Sequence, residues 1–294
     1  MKSKYLIIAA FSFIVCAASN LSAQTSWTSR TSGTSSNLHA VAYGNGTYVA
    51  VGQAGVLLSS TNGTSWTART SGTNNPLYGV TYGNSLFVAV GDNGTIIKSS
   101  DGINWSSASS GGAHLTGVVY GNGKFVVSTE ASHVLTSTNG SSWSASSTGS
   151  AAYLWGVAYG ASGFVGVGEV GTLLTSSTGT SWTARSSGTG NDLLGTTYGN
   201  GTYVTVGWYG TILTSTTGTS WIGRNSGTSN DLNAVACGSV FVAAGDLGTI
   251  RTSSDAATWT PRASGKSSHL NGAAYGNSLY VIVGDAGVIL TSNN

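Results

Sequence analysis

The chain has 294 residues, of which 40% are hydrophobic and only 7% are charged, with 44 glycines and 2 prolines. This hydrophobic content suffices for a sizeable core, in one large domain or two ordinary ones. So much glycine often marks linkers or disorder, but here Gly, Ser, Thr and Asn alternate with Val, Leu, Tyr and Trp. That alternation predicts many short strands joined by tight turns.

The N-terminus has the layout of a secretory signal peptide. Lys2 and Lys4 precede an apolar run over residues 5–18, and small residues end in Leu21-Ser22-Ala23. We therefore predict cleavage after Ala23, which leaves a mature chain of residues 24–294. The run is too short to favour a permanent membrane span. Lipidation at Cys16 is the less favoured alternative, because Val15 stands where a small residue is expected.

Removal of this segment changes the charge and the cysteine count. Lys2 and Lys4 are two of the 11 basic residues, so the other nine balance the 9 acidic residues and the mature chain is neutral. A neutral chain gives no electrostatic reason to expect nucleic acid or an anionic membrane as partner. Cys237 is then the one remaining cysteine of the 2, so an internal disulfide is excluded.

One unit of roughly 39 residues repeats along the whole chain. Its best copy runs from Leu77 to Trp105, and a tryptophan anchors each copy. The anchors are Trp27, Trp66, Trp105, Trp143, Trp182, Trp221 and Trp259.

Each copy predicts four antiparallel strands, called A to D here. In the best copy, A covers residues 77–82, B covers 86–90, C covers 95–99, and D carries Trp105. Gly and Asn at the corners suit the positive φ of tight hairpins. Four strands at a period near 40 residues predict a propeller blade, and hence an all-β, seven-bladed β-propeller.

The two ends of the repeat array predict how the ring closes. The last copy, residues 270–292, stops after strand C, whereas the mature chain begins with an unpaired D strand at residues 26–30. Pairing the two completes the seventh blade and removes an open sheet edge.

The C–D corner follows a recurrent pattern, as in Ser100-Asp101-Gly102 before Trp105 and Thr138-Asn139-Gly140 before Trp143. It resembles a degenerate Asp-box, the turn of bacterial-neuraminidase-type repeats. The whole unit, with its Val-Gly-x-x-Gly-x-Ile-x-x-Ser core, resembles the propeller family of the photosystem II stability and assembly factor over residues 27–294. The resemblance implies the fold, but such repeats occur in sialidases, xyloglucanases, assembly factors and other exported proteins.

Positions shared by the blades are interpreted as structural, following the logic of repeat proteins. They include the tryptophan anchors, a strand-A tyrosine and an arginine three residues after the anchor. The tyrosines are 43, 82, 120, 159, 198 and 275, and the arginines are 30, 69, 185, 224 and 262.

The face that carries the B–C turns and the D–A loops, called the B–C face here, is where the blades differ. One position in the B–C turn is acidic in five of the seven blades. In blade order its residues are Gln53, Asp92, Glu130, Glu169, Trp208, Asp246 and Asp285. Asp192 and Asp231 precede strand A on the same face, which therefore holds seven of the 9 acidic residues. Acidic residues also suit solvent-facing turns for their own sake.

Aromatic residues distinguish blades four and five. The candidate ligand-binding residues are Tyr153, Trp155, Glu169, Asp192, Trp208 and Tyr209. Exposed aromatic rings beside carboxylates suit a sugar, whose C–H face stacks while its hydroxyls donate to the acids. The alternative for Trp155 is that it fills the central channel.

Blades three and six depart from the repeat in other ways. Blade three lacks both turn glycines, and Glu130 with His133 could form an acid–base pair or part of a metal site. A drifted repeat is the favoured interpretation, since a third ligand is missing. Blade six has Cys237 for tyrosine, a shortened A–B turn, and Arg251 in an apolar slot of strand C.

The sequence favours an exported, secreted or periplasmic, non-catalytic recognition or scaffold propeller that binds a glycan or a protein. A sialidase-like glycoside hydrolase is the second hypothesis. It lacks candidates for a central arginine triad, although a pair of rim carboxylates stays open. An assembly factor for an extracytoplasmic membrane complex is the third, and it follows from the resemblance. No catalytic residue, cofactor or metal site is predicted, and the oligomeric state is left open.

Overall fold

A computed structural model describes residues 26–108 and 112–293, which form 28 β-strands and six short 3-10 turns. The strands, numbered in chain order, are β1 (Thr28–Arg30), β2 (Leu38–Gly44), β3 (Thr47–Gly52), β4 (Leu57–Ser60), β5 (Thr67–Arg69), β6 (Leu77–Gly83), β7 (Leu86–Gly91), β8 (Ile96–Ser99), β9 (Ser106–Ser107), β10 (Leu115–Gly121), β11 (Lys124–Thr129), β12 (His133–Ser137), β13 (Ser144–Ser147), β14 (Leu154–Gly160), β15 (Gly163–Gly168), β16 (Leu173–Ser176), β17 (Thr183–Ala184), β18 (Leu193–Gly199), β19 (Thr202–Gly207), β20 (Ile212–Ser215), β21 (Ile222–Arg224), β22 (Leu232–Cys237), β23 (Phe241–Gly245), β24 (Ile250–Ser253), β25 (Thr260–Arg262), β26 (Leu270–Gly276), β27 (Leu279–Gly284) and β28 (Ile289–Asn293).

The strands form seven four-stranded antiparallel sheets, one per blade, which confirms the predicted seven-bladed propeller. Six sheets take four consecutive strands, from β2–β5 in blade one to β22–β25 in blade six. The seventh has the order β1-β28-β27-β26, with Thr28 opposite Thr291 and Arg30 opposite Ile289. The first strand of the chain therefore completes the last blade, as the repeat pattern predicted.

In the best copy, strands A, B and C agree with the predicted boundaries to within one residue, whereas strand D does not include Trp105 as expected. There, β9 begins at Ser106, one residue after Trp105. The outer strand begins one residue after the anchor in every blade. In blades one and five the anchor's indole also closes the C–D corner: Trp66 Nε1 donates to the carbonyl of Gly63 at 3.0 Å, and Trp221 Nε1 to that of Gly218 at 2.8 Å.

The C–D corner is held by side-chain acceptors. In blade two, Asp101 Oδ1 accepts hydrogen bonds from the backbone N–H groups of Ile103 and Asn104, both at 2.8 Å. These donors hold the pKa of the Asp101 carboxyl well below its usual range. Asp101 therefore serves the turn, on the face opposite the B–C face.

The core lies between adjacent blades. In one cluster, Leu38, Tyr48 and Leu58 of blade one pack against Val281 and Ile289 of blade seven. Because blades are stacked around a ring, each sheet is covered on both faces, and strands B and C are buried along their length.

Strand A of each blade ends in Tyr-Gly or its equivalent, and the glycine receives the next blade's tyrosine. A Cβ added at Gly83 would lie closer than 3.0 Å to the side chain of Tyr120, and one at Gly44 would meet Tyr82 in the same way. In blade six Cys237 takes the tyrosine's place opposite Gly199. The shared tyrosines therefore space the blades around the ring.

The shared arginines cover the outer strands. Each donates from Nε to a hydroxyl of the neighbouring strand C, at 2.8 or 2.9 Å. The pairs are Arg30–Thr291, Arg69–Ser59, Arg185–Thr175, Arg224–Thr214 and Arg262–Thr252.

The predicted signal peptide, residues 1–23, lies outside the described residues and stays a prediction. Among the residues that are described, no helix is long and apolar enough to cross a membrane.

Candidate functional site

Six of the seven B–C turns share one backbone conformation. They are the 3-10 turns Gln53–Gly55, Asp92–Gly94, Glu169–Gly171, Trp208–Gly210, Asp246–Gly248 and Asp285–Gly287. The second residue of each is left-handed, with φ between 50° and 54°, and a left-handed glycine follows. The first two residues of each turn are exposed or partly exposed. Their side chains therefore determine the chemistry of the B–C face.

The first turn residue sits beside the residue that precedes strand A of the same blade. The backbone N–H of Glu169 donates to the carbonyl of Tyr153 at 3.1 Å, and that of Trp208 to the carbonyl of Asp192 at 3.0 Å. The same bond recurs in every blade, so two chain segments about 16 residues apart jointly form each sector of the face.

Three candidate residues meet in blade four. Glu169 Oε2 accepts a hydrogen bond from the Tyr153 backbone N–H at 3.3 Å, and the Tyr153 ring meets Trp155 edge-on, with centroids 6.3 Å apart. The Tyr153 side chain is 40% exposed, whereas Trp155 is half-buried. Trp155 Nε1 is enclosed and has no hydrogen-bond partner among the described residues. Trp155 therefore supports the Tyr153 ring more than it offers a free surface.

Trp208 and Tyr209 lie side by side in the turn of blade five, with ring centroids 6.4 Å apart and an interplanar angle of 76°. Trp208 is 40% exposed and Tyr209 is 68% exposed. Blades four and five are neighbours, since β14 packs on β18. The structure thus places three exposed aromatic side chains on adjacent blades of one face.

Asp192 joins the two blades. Its Oδ1 accepts a hydrogen bond from the Val170 backbone N–H of blade four at 2.8 Å, and the residue is buried. Asp231 repeats this contact with the N–H of Tyr209 at 2.7 Å. Asn37 Oδ1 likewise accepts a hydrogen bond from the Ala286 backbone N–H at 3.0 Å. The Asp192 carboxylate therefore holds the turn of the preceding blade and is directed away from solvent.

The acidic residues of the B–C turns in blades six and seven, Asp246 and Asp285, also accept hydrogen bonds from neighbouring side chains. Asn233 Nδ2 donates to Asp246 Oδ1 at 2.9 Å, and Asn271 Nδ2 donates to Asp285 Oδ1 at 2.8 Å. Asp246 Oδ1 also contacts His269 Nδ1 at 2.7 Å, and this hydrogen bond raises the pKa of His269. These acids fix neighbouring polar groups, in keeping with a structural role for part of the acidic rim.

Blades one to three carry a different group of side chains near the ring axis, made of a tyrosine, two histidines and two carboxylates. The Tyr78 ring lies between His39 and His114, with centroid separations of 5.0 and 4.7 Å. His114 bridges two carboxylates: its Nδ1 contacts Asp92, and its Nε2 lies 3.4 Å from Glu130 Oε1. Burial lowers the pKa of His39, and burial followed by the Asp92 charge raises that of Tyr78.

The partner of Glu130 is therefore His114, which the sequence did not single out. His133 instead lies in β12 opposite Ser147, and its carbonyl accepts a hydrogen bond from Thr129 Oγ1 at 2.5 Å. Within residues 26–108 and 112–293, no group of three or more His, Cys, Asp or Glu side chains could hold a metal ion. The irregular turn of blade three drew attention to Glu130, but the less favoured pairing considered for it was with His133.

Arg251, the irregular residue of blade six, has a structural role. Its Nε donates to the carbonyl of Ser226 at 2.8 Å, and its Nη2 donates to that of Gly227 at 2.9 Å. The guanidinium therefore fastens the loop between blades five and six.

Comparison with known proteins supports the fold. No protein-family model and no curated protein sequence matches the chain. Among solved structures, the chain is similar to YCF48 bound to a D1 peptide, with 17% identity over 91% of this chain and 95% of that one, and a TM-score of 0.75. It is similar to YCF48 from Cyanidioschyzon merolae, with 18% identity over 91% and 98% of the two chains and a TM-score of 0.71.

An enzyme is also among the similar structures. Virginiamycin B lyase from Staphylococcus aureus gives a TM-score of 0.83, with 11% identity over 92% of this chain and 99% of that one. At identities this low the likeness defines a class, the β-propellers, and carries no activity from one member to another.

Proposed function

We propose that this chain is an exported, non-catalytic recognition propeller that binds a partner polypeptide through the B–C face, centred on blades four and five. The observation that carries the proposal is the set of exposed aromatic side chains on these two blades, Tyr153, Trp208 and Tyr209, with Glu169 bonded to the Tyr153 backbone. Aromatic residues that are exposed together are typical of binding surfaces, because they offer a large contact area at a small cost in conformational entropy.

Two further observations support a polypeptide partner. The similar YCF48 structure holds a D1 peptide, so a propeller of this shape binds a peptide in that protein. The shared carboxylates and arginines of this chain are mostly engaged within the ring. The aromatic cluster is therefore a surface that the blades themselves do not need.

A glycan is the second candidate ligand. Tyr153 presents its ring in the blade whose turn carries Glu169, and Trp208 presents one in the neighbouring blade. A sugar can stack its C–H face on such rings and donate hydroxyl protons to a carboxylate. An assembly factor for a membrane complex would be one form of the polypeptide-binding function, and the predicted signal peptide is compatible with a location outside the cytoplasm.

The test is capture by the immobilised mature chain from its native envelope fraction, run beside a glycan array. A Tyr153→Ala, Trp208→Ala double variant should lose most of the captured polypeptide. Trp155 is left unchanged because it is half-buried and its indole nitrogen is enclosed. The matched control is Ile103→Ala with Ile222→Ala, which removes two exposed apolar side chains elsewhere.

Equal capture by the double variant and the wild type would refute the site. Binding to a glycan, lost in the same double variant, would favour the second candidate. We also expect no hydrolysis of sialosides or β-glucans. Turnover of aryl glycosides that one rim carboxylate substitution abolishes would contradict the non-catalytic assignment.

A further inference from the structure

The second residue of the B–C turn differs sharply between two halves of the ring. Blades four, five and six place Val170, Tyr209 and Leu247 there, and these side chains are 74%, 68% and 62% exposed. Blades seven, one and two place Ala286, Ala54 and Asn93 at the same position. We call the set Val170, Tyr209 and Leu247 the apolar ridge.

Local structure does not account for the apolar ridge. All three residues are left-handed, with φ of 50°, 54° and 53°. This conformation disfavours large side chains, and a β-branched valine most of all, whereas asparagine or glycine adopts it readily. The turns of blades one, two and seven have the same backbone with small or polar residues, so the turn does not require an apolar side chain.

Core packing does not account for the ridge either. Side chains this exposed contribute little apolar burial to the ring. Large apolar groups that sit together on the surface of a soluble chain are typical of a binding surface. Three equivalent positions on consecutive blades form a row, which suits an elongated ligand that makes several contacts.

The surroundings of the ridge are acidic. Glu169 directly precedes Val170, Asp246 directly precedes Leu247, and Asp231 accepts from the N–H of Tyr209. None of the seven B–C turns contains Lys or Arg, and Lys266 lies in the D–A loop that meets Gly248. Basic side chains of a ligand would therefore meet the Glu169 carboxylate at one end of the ridge, whereas Asp246 at the other end already contacts Asn233 and His269.

We propose that the apolar ridge binds an extended polypeptide segment that carries apolar side chains together with Lys or Arg. The inference rests on the proposed polypeptide-binding function and adds the chemistry of the partner and a contribution from blade six. Two of the three ridge side chains, Val170 and Leu247, offer neither a hydrogen-bonding group nor a flat ring, and Tyr209 supplies the one ring. The ridge as a whole therefore suits apolar side chains better than a sugar. The Glu169 carboxylate beside it favours a positively charged segment.

The test uses synthetic peptides and fluorescence anisotropy with the mature chain. A short labelled peptide of alternating Leu and Lys should bind. Peptides with Glu in place of Lys, or Ser in place of Leu, should bind about tenfold more weakly or worse. Leu247→Ala should weaken binding of the Leu-Lys peptide about fivefold. Ile103→Ala and Ile222→Ala, exposed apolar changes off the ridge, should leave binding unchanged.

Val170→Asn separates binding from folding. Asparagine tolerates the left-handed conformation, so the melting temperature should rise by about 2 °C while binding weakens. A purely structural role for Val170 predicts no loss of binding when stability increases.

Unchanged binding in both Leu247→Ala and Val170→Asn, equal binding of the Leu-Glu peptide, or no binding of any peptide to the wild type would each overturn the ridge proposal. If the Tyr153→Ala, Trp208→Ala variant still loses its captured polypeptide in these cases, the proposed function stands and the ridge alone is wrong. If that capture is unchanged as well, both are wrong.

Discussion

Substitution of Gly83 by alanine tests how the blades are spaced. The new Cβ would lie closer than 3.0 Å to the Cβ and ring of Tyr120, which belongs to the next blade. Neither strand has room to move, because strand A of each blade is packed against strand A of both neighbours. Overpacking of this kind costs about 2 kcal/mol in the free energy of unfolding. For a chain of this size the melting temperature should fall by about 4 °C.

Two variants calibrate the measurement, which is thermal unfolding followed by circular dichroism. Gly223→Ala adds a methyl group with nothing within 4 Å and should leave the melting temperature nearly unchanged. Gly199→Ala meets the smaller Cys237 side chain and should cost less than Gly83→Ala. If Gly83→Ala unfolds at the same temperature as Gly223→Ala, the tyrosine–glycine contact does not set the spacing.

Four further predictions follow from named contacts. Tyr203→Phe removes a hydroxyl that donates to the Gly163 carbonyl at 2.8 Å and accepts from the Ser162 N–H at 3.1 Å, so urea unfolding should show a loss of about 1 kcal/mol. Tyr209→Phe, at an exposed hydroxyl, is its control, and equal stability of the two variants would contradict the prediction. The backbone N–H groups of Thr258 and Ala257 lower the pKa of Asp255 from 3.8 to about 2. The folded state therefore favours the carboxylate, so its stabilising contribution is complete above the ordinary pKa and is lost as pH falls towards 2. Melting temperatures measured from neutral to acid should fall less steeply in Asp255→Asn, and parallel curves would refute this. Arg251→Met should lower the melting temperature by about 5 °C, because it removes the donors to two loop carbonyls, with Arg262→Met as the milder control. Deletion of residues 24–30 should destabilise the ring far more than any single substitution, because β28 loses its pairing with β1. A deletion variant that melts like the full mature chain would show that closure is dispensable.

Part of the candidate site could be predicted because the repeat assigns every residue a place in its blade. Comparison of equivalent positions found the acidic turn position and the aromatic residues of blades four and five. It also placed Trp208 in a turn, and the structure shows that its side chain is 40% exposed. It did not distinguish Asp192 from Glu169, although the first is buried against a neighbouring turn and the second contacts the backbone of its own blade.

The positions of the apolar ridge could also have been found from the sequence. Val170, Tyr209 and Leu247 occupy one repeat position, and their divergence from Ala54, Asn93 and Ala286 is visible in the alignment of the blades. Their left-handed backbone and large exposure were not visible, because turn geometry depends on the φ values of the folded chain.

The sequence alone determined the seven blades, their four strands and the closure by the first strand. These features depend on local periodicity and on the complementary ends of the repeat array. Only the tertiary structure decided which side chains meet between blades. Gly83 receives Tyr120, Asp192 holds Val170, and His114 links Asp92 to Glu130. The physical reason is that a repeat pattern fixes a residue's position within its own blade, whereas these contacts depend on how adjacent blades pack around the ring.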